Sequence, residues 1–350
     1  MRDNLTSKQA SKQTSKQVRN KTLDIYKGML IILVVVRHVL QYSVTDEGGI
    51  LTNIIWAIQM PGFMLVSGYF SARNVESTHE ISKRIVGSMQ HYALPFLSWW
   101  FLVNVLLLGD FDRNVLTAAN HIAFHVDSGM WFLWVVFILS IIATICNYIS
   151  SQNTSYLAVK TSAAALVMLG ILGIIGILFD IRFIGIKFIL YYSVFYGSGW
   201  FLRKTQDIWK PFIDKYSSLI TFVAIVCFSA IVFNYDLYHC EDNLISIAIR
   251  CIAGFSGNIV LLWGANKYKY NLERVRLDHI GLYTLEIYTT HMYVNGLMGA
   301  GNTSGFFTVT GFANFTVSLI LTIIFTVILT MIIKSIPFAN FLLYGKRERN

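Results

Sequence analysis

Charge is scarce in this chain: only 13% of its 350 residues are Asp, Glu, Lys or Arg, about half the share of an ordinary soluble domain. That excludes a solvated globular surface over most of the length. Proline is scarcer still, with 4 residues, so no extended linker divides the chain. The 4 cysteines form no CxxC pair. Cys146, Cys227 and Cys251 lie in apolar runs and Cys240 in a loop, so neither a zinc site nor a disulfide framework is indicated, and no metal is expected. No GxSxG signals a serine nucleophile elbow. No P-loop or GxGxxG occurs, which excludes transport driven by ATP hydrolysis on this chain.

What fills the chain instead is apolar: 55% hydrophobic and 15% aromatic residues, with a mean hydropathy of +0.56. The head, "MRDNLTSKQASKQTSKQVRNK", is polar with a repeated "SKQ", and residues 1–21 read as a disordered basic cytoplasmic tail. The run that follows lacks a small-residue cleavage site, so an uncleaved first span is expected. A helix crosses the hydrocarbon core in about 20 residues. Ten runs meet or approach that length, beginning near Lys27, Leu51, Tyr92, Met130, Thr161, Phe188, Tyr216, Leu244, His279 and Asn314. The net charge is +9, and its placement tells what kind of partner it meets. Of the 28 Lys and Arg, 23 fall in the tails and gaps on the side of the N-terminus, three on the other side, and Arg37 and Arg250 within runs. By the positive-inside rule both termini are cytoplasmic. The basic residues mark topology and lipid contact, not a nucleic-acid surface. The expected architecture is an all-α polytopic integral membrane protein with about ten transmembrane helices. It occupies residues 22–345 of a multi-pass protein of the cell inner (plasma) membrane, with a cytoplasmic tail over 346–350. The inner segment "SARNVESTHEISKRIVGSMQHY" has apolar residues at helical spacing and is expected along the inner interface.

Ionisable groups inside apolar runs are functional candidates, because burying charge in a bilayer costs several kcal/mol or about that. The candidates are Lys27, Arg37, His38, Arg250, Glu286 and His291. Eleven residues separate Lys27 from His38, about 1100° of helix and about 16 Å of rise, so the two share one face. Such a face suits a long ligand entering from the cytoplasm with its reactive end at the imidazole, the side chain whose ordinary pKa suits proton transfer. A helix–helix hydrogen bond is the alternative role for His38. Arg37 points about 100° away and pairs elsewhere or snorkels outward. In "GLYTLEIYTTHMYV", His291 shares a face with Tyr288 and Thr284, while Glu286 lies about 140° round. Glu286 and Arg250 are candidates for a buried structural pair, and His291 for a cavity wall or a packing role.

Several stretches together resemble one family, the integral-membrane acyltransferase family 3, whose enzymes O-acylate sugars of bacterial surface polysaccharides and related molecules. "LDIYKGMLIILVVVRHV" is similar to its opening motif, a basic residue, ten others and His, matched by Lys27 and His38. "QMPGFMLVSGYF" resembles the Met-Pro signature of the second span, "SKRIVGSMQHYALPFLSWW" the basic segment before a Pro-containing third span, and "GMWFLWVVF" the Trp-Phe-Leu motif. "FYGSGWFLRK" and "IGLYTLEIYTTH" match the Gly-aromatic span end and the late Leu-x-Ile-Tyr-x-x-His motif. Two positions depart: Gln59 stands where many members have His before Met-Pro, and Arg84 is followed three residues later by Gly87 rather than a second Arg. No C-terminal hydrolase-like domain is expected after "LLYGKRERN".

The resemblance implies an O-acetyltransferase that binds no resident cofactor and uses acetyl-CoA as co-substrate. Its acceptor would be a surface polysaccharide or lipid-linked sugar. His38 would deprotonate a sugar hydroxyl that attacks the thioester, and Lys27 would hold donor or acceptor. Lys83, Arg84, Arg203 and Lys204 would contact the CoA phosphates, and Glu286 and His291 would line the substrate site. Gly197, Gly199 and Pro61 would permit the close packing or helix breaks that make room for the pantetheine arm. A secondary transporter or flippase of a glycan or lipid precursor, coupled to protons, is the competing reading of the same buried ionisable groups. Against it, the chain shows no internal repeat with paired Gly/Pro-broken segments.

Overall fold

The computed structural model describes residues 19–151, 157–241, 243–297 and 304–346. The expected tails fall largely outside these residues. Everything described is helix, turn or loop, and no strand is present among the described residues. In chain order the main helices are α1 (Lys21–Ser43), α2 (Ile50–Ser71) and α3 (Thr78–Ser88). From α3 the chain winds on without a break through a π-helical turn (Met89–Ala93), α4 (Leu94–Leu97) and a second π-helical stretch (Ser98–Leu107). There follow α5 (Val115–Phe124), α6 (Trp131–Ser151), α7 (Leu157–Leu178), α8 (Ile186–Lys204), α9 (Gln206–Val232) and α10 (Leu244–Lys267). The chain closes with α11 (Lys269–Arg274), α12 (Leu277–Ile280), α13 (Thr284–Leu297), α14 (Val309–Ser335) and α15 (Pro337–Tyr344).

Local chemistry sets many of these ends. Asn20 caps α1 by accepting from the Leu23 amide, Asn243 caps α10 through Ser246, and Thr308 caps α14 through Gly311, each satisfying an amide that the first turn leaves orphaned. At α3, the N-cap Ser77 accepts from the Glu80 amide, and the Glu80 carboxylate accepts from the Glu76 amide just outside the helix. The helix α3 forms the middle of the polar segment 71–92. Pro95, which offers no N–H and crowds the preceding turn, sits between the two π-helical stretches. One extra residue per turn is one way a helix absorbs that mismatch.

Each apolar run lies in a helix, with differences at the edges. The sixth, whose ends the hydropathy left open, is α8, 19 residues long. The seventh starts ten residues early, at Gln206, and bends at Tyr216 (φ −111°, ψ 16°). The ninth is broken: α12 ends in a turn at Gly281 before α13, which has only 14 residues. Five described helices are long and apolar enough to cross a bilayer: α2, α6 (Trp131–Ile149), α9, α10 and α14. The helix α1 carries Lys21, Asp24, Lys27 and Arg37, which dilute its hydropathy.

Burial separates a hub from a rim. In α2, 67% of the apolar window is buried, against 17% in α9 and α14. These outer helices expose Leu219, Phe222, Val223, Ile323, Ile324 and Phe325, the chemistry of a lipid-facing surface. At the centre, α1 packs against α2, α10, α12, α13 and α14. Buried amides tie the hub together. Asn258 of α10 accepts from the Tyr26 hydroxyl at 2.5 Å and donates to the Ile58 carbonyl at 3.1 Å, joining three helices. Helices α2 and α8 meet backbone to backbone: a Cβ on Gly68 would lie 1.8 Å from the Tyr196 carbonyl oxygen, and one on Gly199 would lie 1.9 Å from that of Leu65. Close crossings of this kind are what small residues permit in membranes. Gly197, expected to share this role, faces open space.

Candidate active site

The face of α1 predicted from the spacing of Lys27 and His38 looks onto α13. His38 and His291 come together there, with ring centroids 5.2 Å apart and planes at 51°. His291 is fully buried, and its Nδ1 lies 2.7 Å from the Ile287 carbonyl oxygen one turn back. A carbonyl only accepts, so Nδ1 carries the proton of the neutral ring and Nε2 keeps a lone pair. His291 Nε2 and His38 Nδ1 are both buried atoms without a protein partner. Two imidazoles with open nitrogens at one depth form a site able to accept and pass on a proton.

Beside the pair opens a cavity of about 650 Å³. Tyr288 links the two: it lines the cavity, and its ring centroid is 6.2 Å from that of His291. Phe132 packs edge-on against Tyr288 at 5.5 Å and Phe63 against Phe132 at 5.7 Å, giving the deep end an aromatic wall. Small hydroxyls, among them Ser67, Ser140 and Thr144, line the middle. Lys27, Arg73, Arg84, His91 and Lys346 supply the polar end. The cavity therefore runs from cations toward an apolar end with imidazoles behind it. That polarity fits a ligand with a charged head and a reactive tail. No group of His, Cys, Asp and Glu able to hold a metal ion occurs among the described residues.

The singled-out residues divide. Lys27 lines the cavity and pairs with Asp24 at 2.8 Å, and the buried Asp24 is also held by Arg19. Arg84 lines the cavity too, with its guanidinium donating to the carbonyls of Arg73, at 3.0 Å, and Asn74. Burial pushes the Arg84 guanidinium below its ordinary pKa; Glu80 opposes this and Arg73 adds to it. Lys204 donates to the Asn74 side chain, and Arg203 to the Tyr69 hydroxyl at 3.1 Å and to Gln206 at 2.7 Å. Neither of these two, nor the exposed Lys83, lies on the cavity wall. Glu286 and His291, expected to line the substrate site, are buried and likewise off this wall. Arg37 pairs outward with Glu47 at 2.8 Å and lies 4.7 Å from the Tyr238 ring.

The expected pair of Glu286 and Arg250 does not form. Arg250 donates to the Cys240 carbonyl at 2.7 Å and lies over the Trp56 ring at 5.3 Å, while Glu286 receives Lys346. Two spans that both carry an ionisable group need not present it at one depth, and helical spacing alone gives no depth. Lys346, Arg73 and His91 were not among the sequence candidates. They lie in the gaps and ends between runs, where a basic residue reads as topology. A sequence signal existed only for Lys346, which follows the helix-ending Gly345.

Comparison with known proteins shows the family of the chain. The family model described as "Acyltransferase domain" matches residues 20–331. The chain is similar to "Nodulation protein NolL" of Sinorhizobium fredii, 31% identical over 125 residues covering 34% of each protein. It is also similar to "Nodulation protein NolL" of Mesorhizobium japonicum, 24% identical over 223 residues, 60% of this chain and 56% of that protein. The chain thus spans between a third and somewhat over half of the length of these relatives. No solved structure matches.

Proposed function

The chain belongs to the acyltransferase domain family, and from this membership in a membrane acyltransferase fold we propose that it moves an acetyl group from acetyl-CoA to a sugar hydroxyl of a cell-surface polysaccharide or its lipid-linked precursor. The observation that carries the reading is the cavity with cations at one end and, one aromatic ring beyond the other, the pair His38 and His291. The CoA phosphates take the cationic end, with Lys27 and Arg84 among their contacts. The pantetheine arm runs along the hydroxyl-lined middle, and the thioester reaches the aromatic end. His38 takes the proton of the acceptor hydroxyl as its oxygen attacks the thioester carbonyl. The new C–O bond forms, the C–S bond breaks, and the imidazolium returns its proton to the departing thiolate. His291, with Nδ1 held by its own helix, faces His38 as a fixed neighbour that stabilises the charge formed there.

In the same reading all ten runs span the inner membrane with both termini in the cytoplasm. The charge asymmetry supports this, as does the clustering of Lys27, Arg84 and Lys346 at one end of the cavity. Donor then enters from the cytoplasm. The test is release of free thiol from acetyl-CoA by the purified protein in lipid nanodiscs, with and without surface glycan from the source cell. Acceptor-dependent thiol release with acetylated glycan as product is expected. Glycan movement across the bilayer without thioester cleavage would replace the enzyme by a carrier.

A further inference from the structure

After α14 the chain turns at Pro337, forms α15 and returns toward the cavity as a strap. The Trp99 indole N–H donates to the Leu343 carbonyl at 2.9 Å. Tyr344, fully buried, shares a hydrogen bond with the Thr290 hydroxyl of α13 at 2.8 Å. Gly345 then takes a left-handed turn (φ +64°) so close to the π-helical turn that a Cβ would lie 1.8 Å from the Gln90 carbonyl oxygen. Only glycine meets both demands. The residue so delivered is Lys346, which lines the cavity wall.

The Lys346 ammonium donates to Glu286, one helical turn before Thr290 on α13. The Glu286 side chain is 0% exposed and its Oε2 has no protein partner, whereas the Lys346 side chain is 36% exposed. An ammonium has three N–H donors. One is held by the carboxylate, and the others are free to turn toward the cavity. A buried carboxylate left without its cation is strongly unfavourable, so Glu286 keeps Lys346 at this wall. A long side chain fixed before the ligand arrives loses less entropy on binding it.

Resting on the donor reading above, we propose that Lys346, held by the strap Pro337–Lys346 and tethered by Glu286, is a donor-binding residue that engages the phosphate groups of acyl-CoA. Two donors bear on this: acetyl-CoA, and acetyl-pantetheine, which carries no phosphate. In nanodiscs, Lys346→Ala should raise KM for acetyl-CoA and weaken binding of 3′,5′-ADP by about 10- to 100-fold, the scale of a hydrogen bond to a charged group. KM for acetyl-pantetheine should not move. Lys346→Arg should keep most of the affinity. Gly345→Ala retains the charge but displaces the strap, so it should fall with Lys346→Ala. If the alanine variant does not insert, Lys346→Gln, which keeps a donor for Glu286 without the charge, is expected to show the same split. Unchanged 3′,5′-ADP binding in a wild-type-active background overturns the inference and leaves the acyltransferase reading standing. Equal losses for both donors make Lys346 a structural brace and also overturn it. A wild-type protein that neither binds CoA nor cleaves its thioester overturns the donor reading and this inference together.

Discussion

At residue scale the proposed chemistry centres on His38 and His291, whose ring centroids lie 5.2 Å apart. His291 has one nitrogen committed to the Ile287 carbonyl, which fixes its ring, while His38 has its Nδ1 without a protein partner. We expect His38→Ala to abolish glycan acetylation while membrane level and melting temperature stay near wild type. Losing a general base lowers rate by about 10²- to 10⁴-fold, whereas losing one packing hydrogen bond costs about 1 kcal/mol. Transfer assays and thermal scans on one preparation tell the two apart. His291→Ala should be milder in rate, and acetyl transfer at wild-type level in His38→Ala would move the base to His291. Lys27 is asked for charge and reach at the cavity wall. Lys27→Arg should therefore retain part of the activity that Lys27→Ala loses, read as KM for acetyl-CoA. Its partner Asp24 holds it in place, so Asp24→Asn should raise the same KM by less than Lys27→Ala does.

Among elements, the crossing of α2 and α8 positions the cavity wall. Ser67 on α2 and Tyr196 on α8 both line it, and Gly68 and Gly199 set how closely their backbones approach. Because the clashing atom is a main-chain carbonyl, no rotamer change relieves a new methyl group there. Gly199→Ala should destabilise the protein by about 1–3 kcal/mol, the range of overpacked cores, seen as a lower melting temperature in detergent. Gly197→Ala, two residues away and facing open space, should melt at or above the wild-type temperature, since alanine favours helix over glycine by about 1 kcal/mol. Equal melting temperatures for the two variants would contradict the crossing. The π-helical turn Met89–Ala93 acts at the same scale. It brings His91 and Tyr92 to the cavity wall and offers the Gln90 carbonyl against which the strap turns.

For the whole molecule, the charge asymmetry gives a direct test of orientation. In a variant without the native cysteines, a single cysteine at the exposed position of Asp127 should react with an impermeant maleimide added to intact cells. One at the exposed position of Lys210 should react only after the membrane is opened. Labelling of both from outside would overturn the ten-span arrangement. The head is polar, with a repeated "SKQ" and few apolar residues to bury. Deleting Met1 to Val18 should therefore leave acetyl transfer unchanged in protein that inserts correctly, as Arg19, Lys21 and Lys27 still mark the inner side.

The sequence by itself determined the helical class, the places of the apolar runs, and the shared face of Lys27 and His38. These follow from chain-local physics: backbone groups in lipid must be satisfied within a helix, and the helical repeat fixes which residues align. It also determined that His291 faces the same way as Tyr288 and Thr284. What only the tertiary structure decided was which faces meet. That His38 meets His291, that Glu286 takes Lys346 and not Arg250, and that Gly199 but not Gly197 lies at a crossing depend on the relative depth and rotation of helices distant in the chain. Basic residues near the membrane surface read alike in one dimension. Lys346 reaches the cavity because the chain turns at Gly345 against the Gln90 carbonyl, while Lys83, Arg203 and Lys204 stay off its wall.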